Sequence, residues 1–384
     1  MNRFHRNMLA AASATLMALA AGVAHAQATI KIASIQELSG GGATVGTNFK
    51  NGMDLAIKEI NAAGGILGKK IEVNHADTQS NPGVAKGLAQ KAVDDGAFAV
   101  FGPGFSGSMI VSMAETKRAE VPNFTGAEAA SITAQGNPYV FRTSFGQATS
   151  MPKVARYIAN NVKAKTVALI YVNNDFGKGG RDMVTKALAD LGVKVVADIS
   201  TDAGQVDFSA PVLKAKQSNA DAIFVYTNEE ESARALRELR KQGVTKPIVG
   251  ETTLTGQKVI ELAGDSSNGA VAHVGLTTDA PNPLMLKFKA NFYREYKYIP
   301  DHNGIKGYVG VYMMKAGIEK AGKIDRAALT KALHGLYITA AKEPGVLLDV
   351  YIDEKGDLDR ESYLVEVSNG KQVVKETLPA LGKH

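Results

Sequence analysis

The stretch VFGPGFSGSM, positions 100–109, carries the pattern G-x-G-x-x-G on Gly102, Gly104 and Gly107. A loop of that kind marks a dinucleotide site when it joins the first strand of a βαβ unit to a helix. An apolar run, FAVFG, precedes it, and a helical pattern from Gly107 to Ala119 follows. Strand, tight turn and helix make the repeating unit of an α/β fold, and the flanking sequence repeats it. Upstream, TIKIASI reads as a strand from Thr29, and the next helix places Phe49, Met53, Ala56, Ile57 and Ile60 on one face at a period of about 3.6. Gly64 and Gly65 end that helix before the strand IEVNHAD, and a further helix runs from about Asn81 to Asp94. Downstream comes the strand VPNFT. Strands that alternate with helices predict a parallel sheet covered on both faces.

Near Phe145 the pattern restarts. TVALIYV, a helix from Gly177 to Leu191, KVVADIS, a helix around Phe208 to Gln217, DAIFVYT, the charged helix Glu229 to Gln242 and KPIVGE form a second set of units. The predicted class is therefore α/β, with two doubly wound parallel-sheet lobes written one after the other. GLTTDAPNP reads as a crossing strand, followed by helices from Pro283 to Tyr296 and from about Asn303 to Ala321. The tail has strand-like runs separated by turn signals at Glu354-Lys355-Gly356-Asp357 and Ser368-Asn369-Gly370.

With 384 residues, 45% of them hydrophobic, the chain can build two cores. Of 44 Lys and Arg against 38 Asp and Glu, Arg3 and Arg6 stand in MNRFHRNMLAAASATLMALAAGVAHAQ. This segment has a basic start, an apolar stretch from Met8 to Val23 and small residues at Ala24 and Ala26, which predicts a secretory signal cleaved after Ala26. No later run approaches the ~18 apolar residues of a membrane span, so an exported chain without membrane insertion is expected. The remaining charge is mixed in sign, with no basic stripe, so no nucleic-acid partner is expected. Cysteine is absent, which excludes disulfides, thiolate catalysis, cysteine-ligated zinc and a lipid-bearing cysteine.

Three features argue against a cofactor at the glycine loop. It follows the third strand of its lobe and not the first, export leads to a compartment poor in dinucleotides, and Pro103 and Phe105 stiffen and crowd the turn. The device itself remains useful: glycines allow close backbone approach, and amides opening the next helix point outward at the positive end of its dipole. With the Ser106 hydroxyl, Gly104, Phe105 and Ser106 predict a cradle for a small anion, carboxylate or phosphate; the other reading is a plain helix cap. TGAEAAS, with Ala127, Glu128 and Ala129, forms a second cradle at the same sheet edge, and QELSGGGATVGTN, with Val45, a third. Glu229-Glu230-Glu231 opens a helix as a solvated cap or as a ligand contact. Phe176 and Tyr226 follow their strands as ligand stackers or as core packing.

Enzyme patterns fail more cleanly. Gly104-Phe105-Ser106-Gly107-Ser108 misses G-x-S-x-G at its last position, and Gly68-Lys69-Lys70 lacks the rest of a phosphate loop. His75, His273, His302, His334 and His384 share no metal-ligand spacing and read as surface or packing residues. No metal, cofactor or catalytic residue is expected.

With the export signal, INAAGGILGKKIEV, VFGPGFSGS and the closing DEKGDL, the chain resembles the periplasmic leucine/isoleucine/valine-binding proteins of the type I solute-binding class. The resemblance spans essentially the whole chain after the signal. It implies a monomeric periplasmic protein with a three-segment hinge and a cleft that closes on a small carboxylate ligand, which an inner-membrane ABC permease then receives. The implied lobes are residues 27–147 with 276–345, and 148–275 with 346–384. The family's carboxylate-binding serine falls on Ser106 and its neighbouring backbone contact on Gly104. Its ammonium-accepting carbonyl falls on Ala127, and Phe176 matches a cleft tyrosine. Departures are Ala129 for a family threonine, Val45 for an aromatic residue, and Thr252 for the glutamate that pairs with an α-ammonium. Glu251 or Glu229 could replace that acid; otherwise the guest is a non-amino carboxylate, for example an aromatic one. An exported NAD-dependent oxidoreductase and a sensor subunit for a chemoreceptor are the competing functions.

Overall fold

Strand β1 (Ile30–Gln36) and helix α1 (Ala43–Ala62) set the pattern. Phe49, Met53, Ala56, Ile57 and Ile60, the residues of the predicted apolar face, are all buried. The structure is a computed structural model describing residues 29–382; the secretory segment expected at 1–26 lies outside the described residues.

The remaining strands of the first sheet are β2 (Ile71–Asp77), β3 (Ala99–Phe101), β4 (Asn123–Thr125) and β5 (Val140–Arg142). They pair in parallel in the order β2-β1-β3-β4-β5. Helices α2 (Pro82–Asp94), α3 (Ser106–Arg118) and the short α4 (Ser131–Ala134) alternate with them. Their register aligns Phe101 with Phe124 and Phe124 with Phe141, and the rings follow one another at 4.9 and 5.6 Å. Aromatic neighbours of this kind add about 0.5–1.5 kcal/mol per pair beyond their burial, which helps fix three very short strands in place.

Helix α5 (Gln147–Asn160) leads into the second sheet. Its parallel part is β6 (Thr166–Val172), β7 (Lys194–Thr201), β8 (Ala222–Tyr226), β9 (Ile248–Glu251) and β10 (Val271–Val274), with helices α6 (Asp175–Asp190), α7 (Ser209–Gln217), α8 (Glu229–Lys241) and α9 (Gln257–Ala263) between them. The expected crossing strand at GLTTDAPNP is absent, because Pro281 and Pro283 cannot donate to a ladder. Residues 275–282 instead form turns in which Thr277 Oγ1 accepts from Asp279 N and Asn282 caps α10 (Pro283–Tyr296).

Helix α11 (His302–Ala321) lies backbone-to-backbone on α1. A Cβ at Gly307 would fall 2.0 Å from Phe49 O, and one at Gly52 1.9 Å from Gly304 O. After α12 (Arg326–Leu333), strands β11 (Leu336–Ile338), β12 (Val350–Ile352) and β13 (Leu358–Asp359) form a small antiparallel sheet. This pairing corrects the expected boundary at residue 345: residues 350–359 bond back to β11, and Val350, Ile352 and Leu358 share a core with α1 and α11. Only β14 (Ser362–Ser368) and β15 (Lys371–Leu378) join the second sheet, antiparallel at its edge, in the order β15-β14-β10-β9-β8-β6-β7. Asn369 and Gly370 turn their hairpin at φ of 50° and 73°, as the N-G signal predicts. Among the described residues no helix is long and apolar enough to cross a membrane.

Candidate functional site

In open parallel sheets the loops after the strands build ligand sites, and here loops from both sheets line one cleft of about 540 Å³. The first sheet's side brings Val45, Gly104, Phe105, Ser106 and Glu128, six predicted site residues being completed by Phe176 from the second. Ala127, Ala129, Tyr226, Glu251 and Thr252, also predicted, stand behind the lining.

The cradle at Gly104–Ser106 holds a carboxylate of the chain itself. Glu37, buried just after β1, accepts from Gly104 N at 3.0 Å and Phe105 N at 3.2 Å. Burial pushes its pKa up to about 7, against the lowering effect of those amides. The expectation that both amides await a ligand is thereby corrected. The remaining donors lie one step further on. Met109 N is the first in α3 to bond back, to Phe105 O, so the amides of Ser106, Gly107 and Ser108 have no intrahelical acceptor. Ser106 Oγ accepts from Ala129 N at 3.1 Å, leaving its own hydrogen to donate into the cleft.

The second cradle is clamped from behind. Buried Arg142 donates to Ala127 O at 2.5 Å and Ala129 O at 2.7 Å and pairs with Asp357 at 2.5 Å. The carbonyl that the family resemblance assigns to an ammonium group is thus engaged internally, and the Ala127 and Ala129 methyls face packing. Tyr226 is buried beneath Phe176, with rings stacked at 4.2 Å. Its hydroxyl receives Gln147 Nε2 at 3.0 Å and donates to Glu128 Oε2 at 3.4 Å; burial and the Glu128 charge hold its pKa well above the usual phenol range.

Glu251 accepts from Thr252 Oγ1 at 2.8 Å and lies 3.2 Å from His273 Nδ1. Burial raises the Glu251 pKa to about 7 and lowers that of His273 to about 3. Glu251 and Thr252 border a separate chamber of about 10 Å³ between the cleft and the crossing segments, not the cleft wall. The acidic run divides by residue. Glu230 is exposed and bonds Arg234, while Glu231 accepts from Gly204 N. Glu229, at the start of α8, is buried and lines the cleft. Burial raises its pKa to about 7; Asp301 adds to the rise, while its own N–H and Lys306 oppose it.

Three further groups escaped sequence reading. Lys306 on α11 reaches the cleft floor and pairs with Glu128 at 2.7 Å. His302 and Asn303, from the first turn of the same helix, join the lining, and burial keeps His302 neutral. A lone lysine in the apolar run GIKGYVGVYMM was the signal available for Lys306.

A family model described as periplasmic binding protein matches residues 29–372. The chain belongs to the periplasmic binding protein family. A Leu/Ile/Val-binding protein of Rhizobium johnstonii is 30% identical over 369 residues, covering 95% of this chain and 98% of its own. The branched-chain amino acid transporter substrate binding protein LivJ of Streptococcus pneumoniae, solved with isoleucine, superposes with a TM-score of 0.83 at 27% identity, over 92% of this chain and 100% of that one. A solute binding protein of an ABC transporter from Rhodopseudomonas palustris, solved with 3,4-dihydroxybenzoic acid, gives 0.83 at 24% identity, over 92% and 98%. In this periplasmic binding protein, as in the type I fold of these structures, the cleft lies where the two sheets' loops meet. Its relatives are solute-binding proteins of transporters, the Rhodopseudomonas one of an ABC transporter.

Proposed function

We propose that this protein, exported to the periplasm as a monomer, binds an α-amino acid with a hydrophobic side chain and hands it to an inner-membrane ABC permease. The observation that carries the reading is Glu229, a buried cleft carboxylate for which no cationic partner stands within ion-pair distance among the described residues. A ligand ammonium would supply that partner, taking the role the family gives to an acid where Thr252 stands here. On the other wall, the Ser106 hydroxyl and the first amides of α3 offer donors for the ligand carboxylate. Val45, Phe105 and Phe176 would cover the side chain. A guest held from both walls favours the closed arrangement, because only differential contact shifts a hinge equilibrium.

A second reading, a benzoate-like carboxylate without an amino group, draws on the two aromatic side chains in the lining and on Thr252. The charge of the lining weighs against it: Glu128, Asp175, Glu229, Glu230 and Glu231 face a single lysine. Thermal melts with branched-chain amino acids, hydroxybenzoates and NAD separate the candidates. At a hundredfold excess over Kd a true ligand adds about 2.7 kcal/mol, a shift of several degrees. The amino acids should raise Tm; a shift with the benzoates alone would establish the second reading, and one with NAD alone the oxidoreductase.

A further inference from the structure

The cleft floor carries an ion pair that ligand binding to Ser106 and Glu229 does not require. Lys306 Nζ lies 2.7 Å from Glu128 Oε1 and 3.3 Å from Gly126 O, and the two side chains are only 7% and 8% exposed. Both residues border the main cleft and also the small chamber behind it. A pair buried this deeply is often no better for folding than apolar residues of the same size, so stability is a weak account of it.

An ammonium has three donors, and two of those on Lys306 are engaged, one by Glu128 and one by the Gly126 carbonyl. Lys306 is also the only lysine or arginine among the described residues that line the cleft. Without it every charged side chain of the lining would be acidic, which would favour any amine, whether or not that amine carries a carboxylate. Helix α11 holds the lysine in place through its backbone contact with α1 at Gly307, one residue along.

We propose that Lys306, held by Glu128, is the specificity-determining residue that makes the cleft require a carboxylate on its amine-bearing ligand. The inference rests on the amino-acid reading above and names the group that reads the ligand's anionic end. The third N–H of Lys306 meets that carboxylate together with Ser106, while Glu229 holds the ammonium. A charge-assisted contact of this kind changes affinity by roughly ten- to a hundredfold.

The test compares L-leucine with L-leucinol, which keeps the ammonium and side chain and replaces the carboxylate by a hydroxymethyl group. Calorimetry on the wild type should favour leucine by roughly ten- to a hundredfold. Lys306→Met strands Glu128, so the working variant is K306M combined with E128Q, which removes both charges; K306R serves as the rescue. The double variant should bind the two compounds within about threefold of each other, and K306R should keep the wild-type ratio. A double variant that retains the full preference overturns the inference while leaving the amino-acid reading intact. A wild type that binds neither compound overturns the reading, and the inference with it. In the wild type, whether or not the double variant folds, the ¹⁵Nζ signal of Lys306 should move with leucine and stay with leucinol. Equal movement with both overturns the inference.

Discussion

Ser106 acts through one hydrogen. Its oxygen accepts from Ala129 N, and its hydrogen is free to donate forward, which suits a carboxylate. Ser106→Ala should weaken ligand binding by about 1.5–3 kcal/mol in calorimetry and lower Tm by only a few degrees, the cost of leaving the buried Ala129 N–H without its acceptor, so that the protein stays folded. Glu229 makes the opposite trade. Its pKa rises from 4.5 unfolded to about 7 folded, so the folded state holds a proton that the unfolded chain has already released. That contribution to stability is fully present below 4.5 and is lost as pH rises through about 7, up to roughly 3 kcal/mol for a buried group. Glu229→Gln should therefore melt higher than wild type near pH 8 without ligand, and should bind leucine at least about tenfold more weakly. Wild-type affinity for leucine should fall as pH drops below about 7, because the carboxylate must be ionised to hold the ammonium. Melting curves and titrations across pH check both statements; a variant that is less stable near pH 8 and binds normally would remove Glu229 from the site.

Elements aim these residues, and here the sequence was legible to different depths. The period of α1, the strand-loop-helix at Gly102–Ser106 and the hairpin at Asn369–Gly370 are local signals and were read correctly. Partners far apart in the chain were not, because periodicity says which face is buried and not what it meets. Glu128 and Lys306 are separated by 178 positions, Glu37 and Gly104 by 67, and Arg142 and Asp357 by 215. The same limit hid the β11-β12-β13 pairing and so misplaced the lobe boundary. Arg142 shows what such a distant contact does. It ties the β12–β13 turn to the carbonyls of the second cradle and so fixes the loop that carries Glu128. Asp357→Ala leaves a fully buried guanidinium without its acid and should cost about 3–5 kcal/mol in urea denaturation. A loss below about 1 kcal/mol would mean that the clamp does not hold the loop.

At the scale of the molecule, one organisation explains the residues: two sheets present their loops to a shared cleft, and each contributes one charge preference. The first wall offers donors at Ser106 and α3, the second an unmatched acid at Glu229. Glu37 alters the simplest form of that idea, since the innermost amides serve a resident carboxylate and the proposed ligand would meet those further along α3. The chamber bordered by Ser144, Phe145, Gly275, Leu276 and Arg360 brings the segments that link the two sheets beside Lys306 and Glu251. The most direct measurement is the ratio of calorimetric dissociation constants for L-leucine and 4-methylpentanoate, two molecules that differ by the amino group alone. Pairing of the ammonium with Glu229 predicts that leucine binds roughly ten- to a hundredfold more tightly. Equal affinity, or tighter binding of 4-methylpentanoate, would contradict the account.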